Sequence, residues 1–209
     1  HRPVPALQQS FLRTKANDLG SFLHVARLRA NSSNNTIFAA AKGGIAYLHA
    51  QFVPRRDDRF DYTKPVDGSD PRTDWASLHT ITDLPNVMNP PNGWVQNTNN
   101  WPYSSAGAFS PKPNMYPRYM DMFGENYRGL HAIQLLQGSK GWTLEGLQAA
   151  AYDSHQPAFA KLVPGLVAAW DRAADGNLKQ ATAEPIAILR SWNHRWAADS
   201  VAQSLASFW

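Results

Sequence analysis

Cysteine is absent from all 209 residues, which excludes disulfides, thiolate metal sites and a cysteine nucleophile together. Long apolar runs are missing too. None approaches the roughly 20 residues a membrane-spanning helix needs, and no stretch reads as a signal peptide. Clustered positive charge is scarce. The 20 Lys and Arg exceed the 16 Asp and Glu by a formal +4, but Arg55-Arg56 is the one adjacent pair and Asp57-Asp58 follows it at once. A nucleic-acid groove needs a denser basic footprint, so no nucleic acid and no membrane partner is expected. Tight metal spacing is lacking as well: His24, His49, His79, His131, His155 and His194 form no HExxH pattern. They read as structural residues. Asp153 and His155 are too close in sequence to converge as triad members on one helix.

What remains is globular in character, with 43% hydrophobic and 17% charged residues. The length fits one large domain or two small ones. The chain opens on His1 and closes on Phe208-Trp209, an apolar ending that leads us to expect a segment of a longer protein. From Ala6 to Ala30, apolar residues at helical spacing predict two helices or one kinked at Gly20-Ser21, ended by the polar run 31–35. Residues 36–52 read as a hairpin, two β-rich runs joined by Ala41-Lys42-Gly43-Gly44, with Pro54 stopping the second strand. Prolines at 65, 71, 85, 90 and 91 predict irregular chain up to Trp101. Helices are expected at Tyr127–Leu136, Thr143–Asp153 with Thr143 as N-cap, Ala158–Ala174 and Ala183–Trp209, with Pro164 and Pro185 marking starts or kinks. Helix, hairpin, irregular connector, strand and helices make an α+β order. The hairpin part spans 31–103 and the mainly helical part 120–209.

One stretch stands out chemically. Asn89-Pro90-Pro91-Asn92-Gly93 sets a tight turn, Trp94-Val95-Gln96 is strand-like, and Asn97-Thr98-Asn99-Asn100 gathers side-chain amides with neither a Lys nor a carboxylate. Carboxamides donate and accept hydrogen bonds without titrating, which suits a site that stabilises developing negative charge. An Asn-rich turn between strands is the plainer reading of the same residues.

Three stretches in order resemble the penicillin acylase family of N-terminal nucleophile (Ntn) amidohydrolases. Asn34-Asn35-Thr36 through Gly43-Gly44-Ile45-Ala46-Tyr47, then Pro54 and Arg56, looks like the family's hairpin. Pro65-Val66-Asp67-Gly68 before Trp75 looks like its Pro-Val-x-Gly segment, and Asn89-Pro90 through Asn99-Asn100 like its Asn-Pro strand ending in Asn-Asn. Ala40 and Gly44 depart from the family's acidic residue and Asn. The resemblance implies part of an αββα four-layer Ntn sandwich with additional helices, lying inside the β subunit. Its partners would be the α subunit and the N-terminal part of the β subunit, which carries the nucleophilic Ser released by autoproteolytic processing, and a small-molecule amide substrate. By the same resemblance Asn99 is the oxyanion donor, Arg128 orients the site, and Asn34 falls at an acyl-pocket wall. Trp94 and Trp101, with Phe109, are candidates to shape a substrate cleft. An ion pair of Arg128 with Glu125 is the structural alternative for that arginine. No cofactor is implied beyond a structural calcium, for which Asp67 and Asp70 are the vaguest of candidates. Substrates in such a family span β-lactams, N-acyl homoserine lactones and lipopeptides, in a periplasmic or secreted setting. The competing reading is a Trp- and Asn-rich carbohydrate- or peptide-binding module around Trp94, Trp101 and Tyr103.

Overall fold

The computed structural model describes residues 3–30 and 34–209. The polar run expected to end the first helical region therefore lies partly outside the described residues. The chain forms two compact units, His1–Gly129 and Leu130–Trp209.

The first unit opens with α1 (Pro3–Arg13) and α2 (Leu19–Ala26). The break falls earlier than Gly20-Ser21. Asp18 ends the intervening turn as N-cap of α2, accepting from Ser21 N at 2.6 Å, and the Ser21 hydroxyl accepts from the Asp18 N–H in return. Such a reciprocal cap satisfies two otherwise orphaned donors, so Gly20 and Ser21 sit inside the helix instead of breaking it.

The hairpin forms as expected, with β1 (Thr36–Ala39) antiparallel to β2 (Ile45–Leu48). Gly43 and Gly44 take φ of +90° and +99° in the connecting turn, a region closed to most side chains. Strand β3 (Asn86–Met88) adds to the other edge of β2, giving the order β1-β2-β3. Two corrections follow. Strand β2 ends at Leu48, well before Pro54, which instead makes an isolated bridge with Leu78. The strand near the amide cluster precedes Asn89, and Trp94–Gln96 lies outside the sheet in no regular element. Its Gln96 N–H bonds Ser105 O at 2.8 Å, so its pairing goes to a loop.

As the central strand, β2 is covered on both faces. Ala46 and Leu48 pack with Ala26, Ile81, Leu84 and Met120 on one side, flanked by Phe22, Leu23 and Phe38. Tyr47 packs with Val87 and Ala106 on the other. Period-two alternation separates these sets, and burial of both explains why Ile45–Leu48 is apolar without interruption. Each such large side chain contributes about 1.5–3 kcal/mol by leaving water.

The second unit is helical. It contains most of α3 (Tyr127–Gly138), then α4 (Leu144–Ala151), α5 (Pro157–Arg172), α6 (Asn177–Ala181), α7 (Ala183–Arg190) and α8 (Val201–Phe208). Thr143 caps α4, accepting from Gly146 N at 3.0 Å. The expected long last helix is two, because residues 191–200 leave helical geometry around Trp192, whose indole N–H bonds Arg195 O at 3.0 Å. Val163, Leu189, Trp192, Ala202 and Ala206 form the core of this unit. Pro185 sits in the first turn of α7, where its missing N–H has no partner to lose. Pro164 lies inside α5 and removes one ladder bond there. The mixture of helices with a three-stranded sheet is α+β.

Candidate functional site

Asn99 occupies a bend, with φ of +58°, and is exposed. It is not at a strand end. Asparagine tolerates this left-handed conformation better than other non-glycine residues. Both terminal nitrogens of Arg128 donate to Asn99 Oδ1 at 3.4 Å. The arginine fork thus occupies the carbonyl end of the carboxamide, and among the described residues Nδ2 is left as the free donor end. The cationic fork also polarises that amide, which strengthens its remaining N–H donors.

The bend is held from below by its neighbours. Buried Asn100 accepts from Thr98 N at 3.1 Å and donates from Nδ2 to Ser104 Oγ at 3.0 Å and Glu125 Oε1 at 2.9 Å. The same Glu125 oxygen accepts from Asn126 N at 2.8 Å. Asn126 then caps α3, accepting from Gly129 N at 2.9 Å and donating to Thr98 O at 3.1 Å. This ties the first turn of α3, and Arg128 within it, to the 98–100 bend. Gly129 is required by the contact: a Cβ there would lie 2.6 Å from Asn100 Nδ2 and 3.1 Å from Thr98 Oγ1. Glu125 is therefore committed to the amide bend, and among the described residues it forms no ion pair with Arg128.

Asn99 lines a cleft of about 880 Å³ within the first unit, a size typical of small-molecule sites. Its lining is rich in uncharged amides: Asn34, Asn35, Gln51, Asn97, Asn99 and Asn100. Apolar lining residues include Ile37, Val53, Met120, Met122 and Phe123. Asp121 also lines it, and burial pushes its carboxyl above the ordinary carboxylate range, partly offset by the Phe123 N–H. His49 lines the cleft while only 4% exposed. Burial holds its imidazolium unfavourable, lowering the pKa to about 4.

The structure thus brings Asn34 and Asn99 to one cleft and sets Arg128 behind Asn99. Trp94 and Trp101 do not line it. Trp101 packs edge-on to Tyr103, with ring centres 5.6 Å apart, and its indole N–H is buried. Phe109 is exposed away from the cleft lining. Asp67 and Asp70 are engaged locally, by Ser69 and Arg72 respectively. Among the described residues no group of three or more His, Asp or Glu could hold a metal ion.

From the sequence, with His49 counted among the structural histidines and Glu125 only as an ion-pair alternative for Arg128, no site role is expected for Asn35, His49, Asn100, Glu125, Asn126 or Gly129. A signal existed for the last three: Glu125-Asn126-Tyr127-Arg128-Gly129 carries an N-cap residue just before a helical run. Nothing in the sequence marked His49, because its pairing depends on residues 35 and 51 meeting across the hairpin.

Comparison with known proteins bears on this geometry. The family profile described as penicillin amidase matches residues 1–209. Over 74 residues the chain is 35% identical to penicillin G acylase of Escherichia coli, covering 35% of this chain and 9% of that protein. A thermostable penicillin G acylase from Alcaligenes faecalis shares the fold with a TM-score of 0.67, at 21% identity, over 94% of this chain and 34% of that one. The chain therefore spans about a third or less of these relatives' length.

Proposed function

The chain belongs to the penicillin amidase family, and from that premise we propose that it is the oxyanion-binding part of an Ntn acylase that hydrolyses an amide bond. The observation that carries the reading is the Arg128 fork on Asn99 Oδ1, beside a cleft of ligand size. A serine at the start of the β subunit, elsewhere in the longer protein, attacks the scissile carbonyl carbon, with its own α-amino group as base. As that bond forms, the carbonyl π electrons move to oxygen, and Asn99 Nδ2–H donates to the resulting oxyanion. A backbone N–H supplies the second donor. Arg128 keeps Nδ2 turned to the oxyanion. Collapse of the intermediate expels the amine, which takes up the proton that the α-amino group removed from the serine. Water then attacks the acyl-serine ester, releasing the carboxylic acid and restoring the serine.

On this reading the chain alone is inactive, and its partners are the α subunit and the remaining β-subunit residues. The substrate is a small acyl amide: a β-lactam, an N-acyl homoserine lactone or a lipopeptide, with the long-chain acylases preferred from the wording around Trp94 and Gly68. Antibiotic processing or quorum quenching in a periplasmic or secreted setting follows from that choice.

In the full-length enzyme, Asn99→Ala should leave the products of precursor cleavage visible on a gel while kcat for amide hydrolysis falls by about 10²–10³-fold. Wild-type turnover in that variant would overturn the assignment.

A further inference from the structure

The cleft holds one buried polar side chain to which the proposed chemistry gives no task. His49 follows β2, and its main-chain N–H is fixed by Pro85 O at 3.2 Å and Asn86 Oδ1 at 3.0 Å. Its ring is fixed by Asn35: Nδ1 lies 2.7 Å from Asn35 Oδ1. That oxygen also receives Gln51 Nε2 at 3.0 Å, so it is the acceptor end of the Asn35 amide. An amide oxygen only accepts, and Nδ1 must therefore carry the proton. Nε2 is then left with a lone pair, and among the described residues it has no partner. A neutral imidazole of defined tautomer, 4% exposed yet lining the cleft, is a fixed acceptor there.

We propose that His49 is a specificity-determining residue whose Nε2 accepts a hydrogen bond from a hydroxyl carried on the substrate's acyl chain. The inference rests on the acylase reading, which makes this cleft the seat of the acyl group. Ile37, Val53 and Phe123, which also line the cleft, suit the methylenes of such a chain, while His49 adds one acceptor with no charge. Burial keeps that acceptor unprotonated down to about pH 4, so it stays available throughout neutral pH. A site built around a buried acceptor rejects an analogue without the donor, because the acceptor is then left unpaired.

The test uses the full-length processed enzyme and straight-chain fatty acyl nitroanilides, plain or carrying one hydroxyl moved position by position along the chain. At one position, wild type should favour the hydroxylated anilide in kcat/KM by about tenfold, the scale of one neutral hydrogen bond. His49→Asn keeps a donor near Nδ1 for Asn35 but has no acceptor at Nε2, and should reduce that ratio to near one. His49→Gln returns an acceptor near Nε2 and should restore most of it. A ratio near one at every position in wild type, or an unchanged ratio in His49→Asn, overturns the proposal. Equal loss on both substrates leaves the ratio unchanged and so also counts against it. Absence of turnover on every amide sinks the acylase reading itself, and nitrogen-15 NMR of the histidines separates the two failures. His49 should show Nδ1 protonated at neutral pH, with an Nε2 signal that moves on adding the hydroxylated fatty acid and not the plain one. An Nε2-protonated ring, or no selective shift, overturns the proposal independently of activity.

Discussion

Each unit of this chain contains an arginine aimed at a side-chain oxygen of a polar cluster, and the two clusters differ in what they leave open. In the second unit both oxygens of Asp153 are engaged. His131 Nε2 lies 3.0 Å from its Oδ1, which also takes His155 N, and Arg195 donates to Oδ2 at 2.9 Å. The Arg195 bond and the His155 amide hold this carboxyl at about 2. In the first unit Asn99 accepts the Arg128 fork at 3.4 Å, sits in a left-handed backbone conformation and, among the described residues, keeps both Nδ2 hydrogens uncommitted. A charged group held by donors at both oxygens is a staple. A neutral amide, oriented at one end and open at the other, is suited to a charge that appears later.

The sharpest way to break that contrast is to remove the free end. Alanine at position 99 would combine loss of the amide with strain at positive φ, so Asn99→Gly is the cleaner companion: it removes the donor and tolerates the backbone. Both should lose about 10²–10³ in kcat, and only the alanine variant should also lower Tm. Removing the clamp is the next test. Arg128→Lys retains the charge but not the fork, and should reduce kcat by about tenfold to a hundredfold, the range a small misplacement near the chemistry produces. Because Arg128 is exposed, stability should move by less than about 0.5 kcal/mol. A lysine variant with wild-type kcat would show that Arg128 is only a surface charge.

Much of the fold was legible because it rests on local rules. The hairpin follows from two β-rich runs joined at Gly43-Gly44, and Thr143 and Pro185 mark their helix starts by capping and missing-donor chemistry. The failures have a common physical form. Asp18 takes the capping role through Ser21, which moves the break away from Gly20. Trp192 turns the chain between α7 and α8 through a bond to Arg195 O. Each is a side-chain contact that outweighs a propensity. The site divides the same way. Asn99 and Arg128 stood in recognisable surroundings, whereas His49 needs Asn35, Gln51 and Asn86 from separate strands and loops, and no spacing along one segment encodes that.

The support under the free end offers an intermediate effect. Gly129→Ala places a methyl 2.6 Å from Asn100 Nδ2, and it also crowds Glu125. The flexible end of Glu125 can retreat, but Asn100 is buried and triply bonded. Overpacking of this kind costs about 1–3 kcal/mol, and here the strain relaxes into the bend that carries Asn99. We expect a lower denaturant midpoint together with a several-fold drop in kcat. Loss of stability with kcat untouched would show that the bend's supports are structural alone.

The staple should respond to pH where the open amide does not. The folded pKa of Asp153, about 2, lies below the roughly 3.9 of an unfolded aspartate. A depressed carboxyl contributes its stability above the unfolded value and loses it as pH falls through the folded one. Between about pH 4 and about pH 2, proton uptake by Asp153 in the unfolded chain should therefore erode the stability of wild type. Asp153→Asn removes that titration and weakens the Arg195 and His131 contacts, so it should lower Tm modestly at neutral pH. The gap to wild type should then narrow through the same acidic window. The side chain is partly solvent-accessible, so screening keeps the effect the smallest of the series. Thermal melts of both proteins across that window would decide it, and a gap constant with pH would mean that Asp153 is held by packing and not by its charge. Asn99→Gly, which removes no titrating group, should show no such convergence with wild type.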